Sequence, residues 1–287
     1  MTSPAQKKDW SAAQYLKFGN ERTRPVHDLL RRVTPHLSTP TPRIYDLGCG
    51  PGNSTQVLLD AFPGARATGI DSSADMLRQA REDARLTAAG AEFEAGDVGT
   101  WRAPAGQKVD LLFSNAVFHW LRSGARIPAL AKLFKELQSG AVLAIQVPDN
   151  YDAPSHTLMR TTALLPGKPW SSHFVDAQVG NLEDQARPDL DPIERPEAFY
   201  DALAPLAASV DIWRTEYYHV LSDAGAIVEW VKGTGLQPYL QRMGDDEGAK
   251  TAFLSEYEER LKGEYKELVD GKVLLGYPRL FLVAVRK

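Results

Sequence analysis

The chain has 287 residues, with 33 Lys and Arg against 37 Asp and Glu, a formal net charge of -4 and a pI near 5.9. That length is enough to bury a full core, and without a basic stripe the charge gives no support for a nucleic-acid partner. A single cysteine, Cys49, excludes an intramolecular disulfide and a cysteine zinc cage, as expected of a cytoplasmic protein without a metal. No apolar stretch is long enough for a membrane span, and the start MTSPAQKKDW lacks the apolar run of a signal peptide.

In chain order, residues 24–37 read as a helix with Val26, Leu29, Leu30 and Val33 on one face, ended by the proline-rich link 38–42. Ile44 and Tyr45 lead into DLGCGPGNST at 46–55, a strand that turns through Gly48, Gly50 and Gly52 into a helix over 53–61. Glycines there permit positive φ and let a ligand lie almost on the main chain. Asn53 opens the helix, whose free amides point at that ligand. Asp46 stands immediately before the first glycine, where a pyrophosphate would meet like charge in a poorly screened cleft. S-adenosylmethionine suits the arrangement, because it carries an ammonium and a sulfonium and no phosphate. The glycine spacing also differs from the dinucleotide pattern, which disfavours an oxidoreductase.

Residues 67–70 form a second short strand ending in Asp71, the expected partner of a ribose diol. Asp71, Ser72 or Ser73 caps the helix that follows over 73–85, where Met76, Leu77 and Ala80 recur at helical spacing. Gly90 closes that unit. A third strand at 93–96 precedes Asp97 and Val98, whose backbone amide is placed to meet an adenine edge, and a fourth at 111–113 ends in Ser114 and Asn115. A helix over 126–137 and a fifth strand over 141–147 complete an alternation that implies right-handed crossovers and a parallel sheet. The stretch 149–205, rich in Pro, Asp and Gly, reads as a loop-and-helix insertion over the carboxyl edge of the sheet. A sixth strand at 210–219, helices at 224–234 and 246–266, and a final strand at 280–285 follow. Phe253, Tyr257, Leu261 and Tyr265 lie four apart, a core stripe rather than a cofactor box.

The chain resembles the class I S-adenosylmethionine-dependent methyltransferases, and within them the trans-aconitate 2-methyltransferase family. The closer resemblance rests on WSAAQYLKFGNERTRP (10–25), NAVFHW (115–120), QVPDN (146–150), VDIWRTEYYH (210–219), EWVKGTGLQPYL (229–240) and YPRLFLVAVRK (277–287). It implies a doubly wound α/β fold of Rossmann-like form, with a mostly parallel seven-stranded sheet, an antiparallel last strand and a helical cap over the carboxyl edge. The organisation expected is an N-terminal lid and cofactor core at 1–150, a cap insertion at 151–208, and the end of the sheet with inserted cap helices at 209–287, in one compact chain. Residues 162–196 depart from the family pattern by being longer.

The resemblance gives Asp46, Gly48, Gly50, Asn53, Asp71, Ser72, Met76, Asp97, Val98 and Asn115 to the cofactor, with Met76 equally readable as core. Tyr15, Phe18, Arg22 and Arg24 would fold over the same edge, Tyr15 against the cofactor. Arg22 has two readings, because the methionine carboxylate and a carboxylated substrate both want a guanidinium fork. For a tricarboxylate such as trans-aconitate, Arg22, Arg279, Tyr217 and Tyr218 are the candidate grips, Asn150 and Gln146 add neutral donors, and Trp120 and Trp170 wall the pocket. His119, just past the fourth strand, faces the acceptor or is structural. A carboxylic acid, with a pKa of about 4, is already ionised at neutral pH and needs no base, so positioning by Arg279, Arg22 and His119 would carry the reaction. A phenol or amine acceptor would instead require His119, His173 or His219. Another small carboxylated or hydroxylated metabolite, or a non-catalytic cofactor-binding module, are the competing readings. The oligomeric state stays open.

Overall fold

The computed structural model describes residues 19–104 and 106–287. Tyr15 and Phe18 lie outside the described residues. The elements are α1 (Gly19–Val33), β1 (Arg43–Leu47), α2 (Asn53–Ala61), β2 (Arg66–Asp71), α3 (Ala74–Glu82), α4 (Ala84–Ala88), β3 (Glu92–Ala95), β4 (Leu111–Asn115), α5 (Arg126–Glu136) and β5 (Val142–Pro148). They continue with α6 (Pro154–Ala163), α7 (Pro196–Leu203), β6 (Ala207–Leu221), α8 (Ala224–Lys232), α9 (Gln237–Arg242), α10 (Glu247–Glu264) and β7 (Val273–Arg286).

The strands form one seven-stranded sheet in the order β3-β2-β1-β4-β5-β7-β6. The first five are parallel, and β7 runs antiparallel to both β5 and β6. The order reverses beside β1, so the tips of β1, β2, β3 and β4 converge on one crevice at the carboxyl edge, the usual ligand position in an open α/β sheet. β1 and β5 are buried along nearly their whole length, as expected of central parallel strands covered on both faces. One face carries Val26, Leu29 and Val33 of α1 with Val57 and Leu58 of α2. The other carries Leu130, Leu133 and Phe134 of α5 with Phe199 and Leu203 of α7.

Several boundaries move for physical reasons. The helix expected from residue 24 already includes Gly19–Val33, with Pro25 inside it; the missing proline amide removes one intrahelical bond but does not break the helix. The helix expected over 73–85 divides at Asp83, an extended residue whose side chain accepts from Arg85 N and so caps α4. β6 and β7 run well past 210–219 and 280–285, pairing from Ala207 to Leu221, so their far halves leave the sheet core and lie beneath the cap. There Leu221, Val273, Leu275 and Tyr277 meet Trp230, Phe253, Tyr257 and Leu261. The four-apart stripe of α10 is thus core, each fully buried side chain worth about 1.5–3 kcal/mol. Within residues 151–208, α6, Trp170 and Phe174 join the cap core, whereas Phe199 and Leu203 of α7 join α5 on the sheet. Trp170, expected to wall the pocket, is instead buried in the cap, its Nε1 donating to Thr162 O at 2.9 Å.

Among the described residues no helix is long and apolar enough to cross a membrane, and no cluster of three or more His, Cys, Asp or Glu could hold a metal ion.

Candidate active site

The crevice opens into a cavity of 340 Å³, within the range of small-molecule sites. Its walls include Gly48, Gly50, Asn53 and Ser54 from β1 and α2, and Asp71, Ser72 and Met76 from β2 and α3. Gly96, Asp97 and Val98 follow β3, and Asn115, His119 and Trp120 follow β4. Arg22, Trp230, Tyr277 and Arg279 close it from α1, the cap and β7.

The glycine loop is built by three positive φ values, 73° at Gly48, 55° at Gly50 and 94° at Gly52. A Cβ on Gly48 would lie 2.1 Å from Val117 Cγ2, so only glycine lets the β1 and β4 tips close on each other. A Cβ on Gly50 would meet nothing within 4 Å, leaving main chain open to a ligand. Gly52 caps α2 without a side-chain bond, so the first amides of that helix remain available to a ligand. Asp71 does not cap α3; Ser73 does, its hydroxyl accepting from Met76 N at 3.2 Å. The Asp71 carboxylate turns back instead and accepts from Gly50 N at 2.9 Å and from Ser73 N at 2.9 Å, tying the second strand tip to the glycine loop.

Asp46 departs from expectation. It lies at the tip of β1 but fully buried behind the loop, not on the cavity wall, and accepts from Ser54 Oγ at 2.6 Å and Thr55 Oγ1 at 2.7 Å. Its Oδ1 is buried without a hydrogen bond among the described residues. Burial raises its pKa from 3.8 to about 6, against the pull of the two hydroxyls, and the neighbouring Asp71 pushes the same way. Asp46 therefore braces the start of α2. Ser54, which does reach the wall, was legible only as a hydroxyl in the first turn after the glycines.

The opposite end is basic. Arg279 is 3% exposed; its Nη1 donates to Gln146 Oε1 at 3.1 Å, and its guanidinium stands 5.0 Å from the Tyr277 ring and 5.8 Å from that of Tyr217. It pairs with Pro148 at the end of β5, so an antiparallel strand delivers it to the edge where the parallel strands finish. Arg22 donates through Nη2 to Trp230 O at 3.0 Å and lies 5.3 Å from that indole. Between the two ends, His119 is 8% exposed, and its Nδ1 has no hydrogen bond among the described residues. Burial holds its pKa well below the usual 6.5, helped by Arg126 and Arg279, so the ring is neutral at physiological pH.

Four proposed acceptor contacts do not reach this cavity. Tyr217 is buried beneath Arg279 and donates to Asp28 Oδ2 at 2.7 Å. Tyr218 points to the other face of β6, 56% exposed, donating to Glu216. Alternation along a strand sends neighbours to opposite faces, so the pair could never act together. Gln146 is fully buried and holds Arg279 from below. Asn150 lines a small second cavity behind His119. Trp230, Thr234 and Tyr277 line the main cavity and were missed as site residues; periodicity marks them only as cap and strand.

The strand order and glycine loop define the class I methyltransferase fold, and residues 44–140 match the family described as a methyltransferase domain. Among solved structures, phosphoethanolamine N-methyltransferase 2 of Haemonchus contortus, in complex with phosphomonomethylethanolamine and S-adenosylhomocysteine, superposes with a TM-score of 0.53 at 14% identity, over 96% of this chain and 56% of that one. YcgJ of Bacillus subtilis gives 0.53 at 9% identity, over 91% and 98%. At such identities these show the fold alone. The trans-aconitate 2-methyltransferase of Rhodopseudomonas palustris (strain BisB18) is 46% identical over 97% of this chain and 99% of its own length. That of Agrobacterium fabrum (strain C58 / ATCC 33970) is 45% identical over 97% and 99%. The chain belongs to the trans-aconitate 2-methyltransferase family.

Proposed function

We propose that this protein transfers the methyl group of S-adenosylmethionine to a carboxylate of trans-aconitate, or of a closely similar small polycarboxylic acid, giving a methyl ester and S-adenosylhomocysteine. The observation that carries the reading is the polarity of one cavity, with Asp71 and Asp97 on the wall at one end and Arg22 and Arg279 at the other. A cationic methyl donor and a polyanionic acceptor would each find opposite charge there. Main chain open at Gly50 and an Asn115 Oδ1 buried without a hydrogen bond among the described residues form, with the carboxylates of Asp71 and Asp97, a donor and acceptor set that fits the cofactor.

When bound, S-adenosylmethionine supplies an electrophilic methyl group on a sulfonium. The protein's part is to hold and orient. Asp71, Asp97, Ser72, Val98, Met76 and Asn115 would bind the cofactor, and Asp46 sets a negative potential beneath it. Arg279, fixed by Gln146 and by two aromatic rings, offers a guanidinium fork for a carboxylate. Arg22 has the same chemistry at the rim. The acceptor carboxylate is ionised at neutral pH, so no proton has to leave it, and neutral His119 serves as a wall or a hydrogen-bonding partner rather than a base. Orientation and exclusion of water then supply the rate enhancement.

Mass spectrometry of the product from trans-aconitate and S-adenosylmethionine tests the reading. A mono-methyl ester is expected; a panel of small acids in which only a monocarboxylate or a hydroxyl compound is methylated would overturn it.

A further inference from the structure

The long stretch 162–196 has no part in the reading above, yet its last third is clamped onto the acceptor end of the cavity. The short turn after β4 (Phe118–Trp120) carries His119 and Trp120 into the cavity wall. Arg126, fully buried at the start of α5, donates through Nε to Phe118 O at 3.0 Å and through Nη2 to Leu121 O at 2.9 Å. Its Nη1 donates to Pro192 O at 3.2 Å and pairs with Glu194. Arg122 donates to Asp189 O at 2.7 Å, Arg187 O at 2.6 Å and Asp191 Oδ1 at 3.2 Å. Asp191 accepts from the Ser123 amide and pairs with the buried Arg187, which also pairs with Asp189 at 3.3 Å. Residues 187–194 thus form a strap that grips Arg122 and Ser123 just past the turn and reaches the carbonyls of Phe118 and Leu121 through Arg126.

Behind the turn lies the second cavity, 20 Å³ in volume and bordered by Asn150, His156, Asp189 and Asp191. His119 and Pro148 line both cavities and so stand between them. Buried ion pairs contribute little net stability against apolar packing, but they fix one geometry because breaking either partner strands a charge.

We propose that this strap, through Asp191 and Arg122, is a positioning device that sets the depth of the acceptor end of the cavity by holding His119 and Trp120 in place. The inference rests on the proposed function, and it assigns the 162–196 stretch to acceptor recognition and not to cofactor binding. The strap's bonds to the turn and α5 run through Arg122, Ser123 and Arg126, at the acceptor end, so its loss should act on one ligand.

The test is Asp191→Asn together with Arg122→Gln, the latter on a partly exposed side chain so that a folded variant is available. In both, the Michaelis constant for trans-aconitate should rise about tenfold while kcat stays within about threefold, the pattern of lost ground-state positioning. Calorimetric affinity for S-adenosylhomocysteine should stay within about twofold of the parent. An unchanged acceptor constant, or acceptor and cofactor affinity falling in step, would overturn the proposal. If the parent methylates no polycarboxylate, the function reading fails separately, and amide hydrogen exchange judges the strap without any acceptor. Acceleration confined to residues 118–123 supports it; acceleration spread through β1 to β4 sinks it.

Discussion

Replacing Asp46 by Asn separates the electrostatics of the crevice from its architecture. The carboxyl group is fully buried and its pKa is raised from 3.8 to about 6, chiefly by desolvation. A folded-state pKa above the unfolded value stabilises the protein fully below about pH 3.8, and that contribution is lost as pH rises through about 6. A shift of roughly two units corresponds to about 3 kcal/mol, so at pH 7.5 the ionised carboxylate costs the fold that amount relative to acid. Asn does not titrate, and its amide oxygen still accepts from Ser54 and Thr55. Any constant cost of its new NH2 group is the same at every pH. The stability of Asp46→Asn relative to the parent should therefore climb by about 2–3 kcal/mol between pH 4 and 7.5, read from urea unfolding at a series of pH values. Cofactor binding should move the opposite way: parent affinity for S-adenosylmethionine should strengthen as pH rises through about 6, and the variant should lack that rise. A relative stability flat across this range, or identical pH dependence of cofactor affinity in the two proteins, would refute the reasoning.

Arg279→Ala should raise the Michaelis constant for trans-aconitate by about tenfold or more and leave S-adenosylmethionine affinity nearly unchanged, whereas Asp71→Ala should do the reverse in calorimetry; equal weakening of both ligands by either change would reject the division of the cavity. Gly48→Ala, with its Cβ 2.1 Å from Val117 Cγ2 at a φ of 73°, should cost about 2–4 kcal/mol in urea unfolding. Adding Val117→Ala removes the methyl groups at 2.1 and 2.6 Å but leaves the Val117 Cβ at 2.8 Å and the backbone strain in place, so it should recover only part of the loss, and full recovery would argue against the strained φ. At saturating cofactor, kcat should be flat between about pH 6.5 and 8.5, because His119 is held neutral and the acceptor is already ionised. An ascending limb that disappears in His119→Gln would identify a base and contradict the carboxylate mechanism.

The cofactor half of this molecule is written locally. Gly48, Gly50 and Gly52 require a turn whatever surrounds them, and the apolar runs before Asp71, Asp97 and Asn115 become strands whose tips share an edge once crossovers are right-handed. Each of those side chains lies within a few residues of the signal that marks it. What a local pattern does not specify is burial depth: Asp46 looks like a rim residue and is in fact sealed behind Ser54 and Thr55, because the hydroxyls that hold it come from the next helix turn.

The acceptor half depended on long-range pairing. Arg279 reaches the cavity because β7 runs antiparallel and sets it opposite Pro148, while Tyr217 falls beneath it and Tyr218 faces solvent; shifting the register by one residue would exchange those two tyrosines. Arg22 arrives from the other end of the chain on a helix that tolerates Pro25, and Asn150 and Trp170 are drawn off into the second cavity and the cap core. Periodicity reports which residues share a face of one element, so it determined the strands, the glycine loop and the donor-binding edge. Which faces meet is decided by packing between elements far apart in sequence, and only the tertiary structure brought two arginines, a neutral histidine and a charged strap to the same side of one cavity.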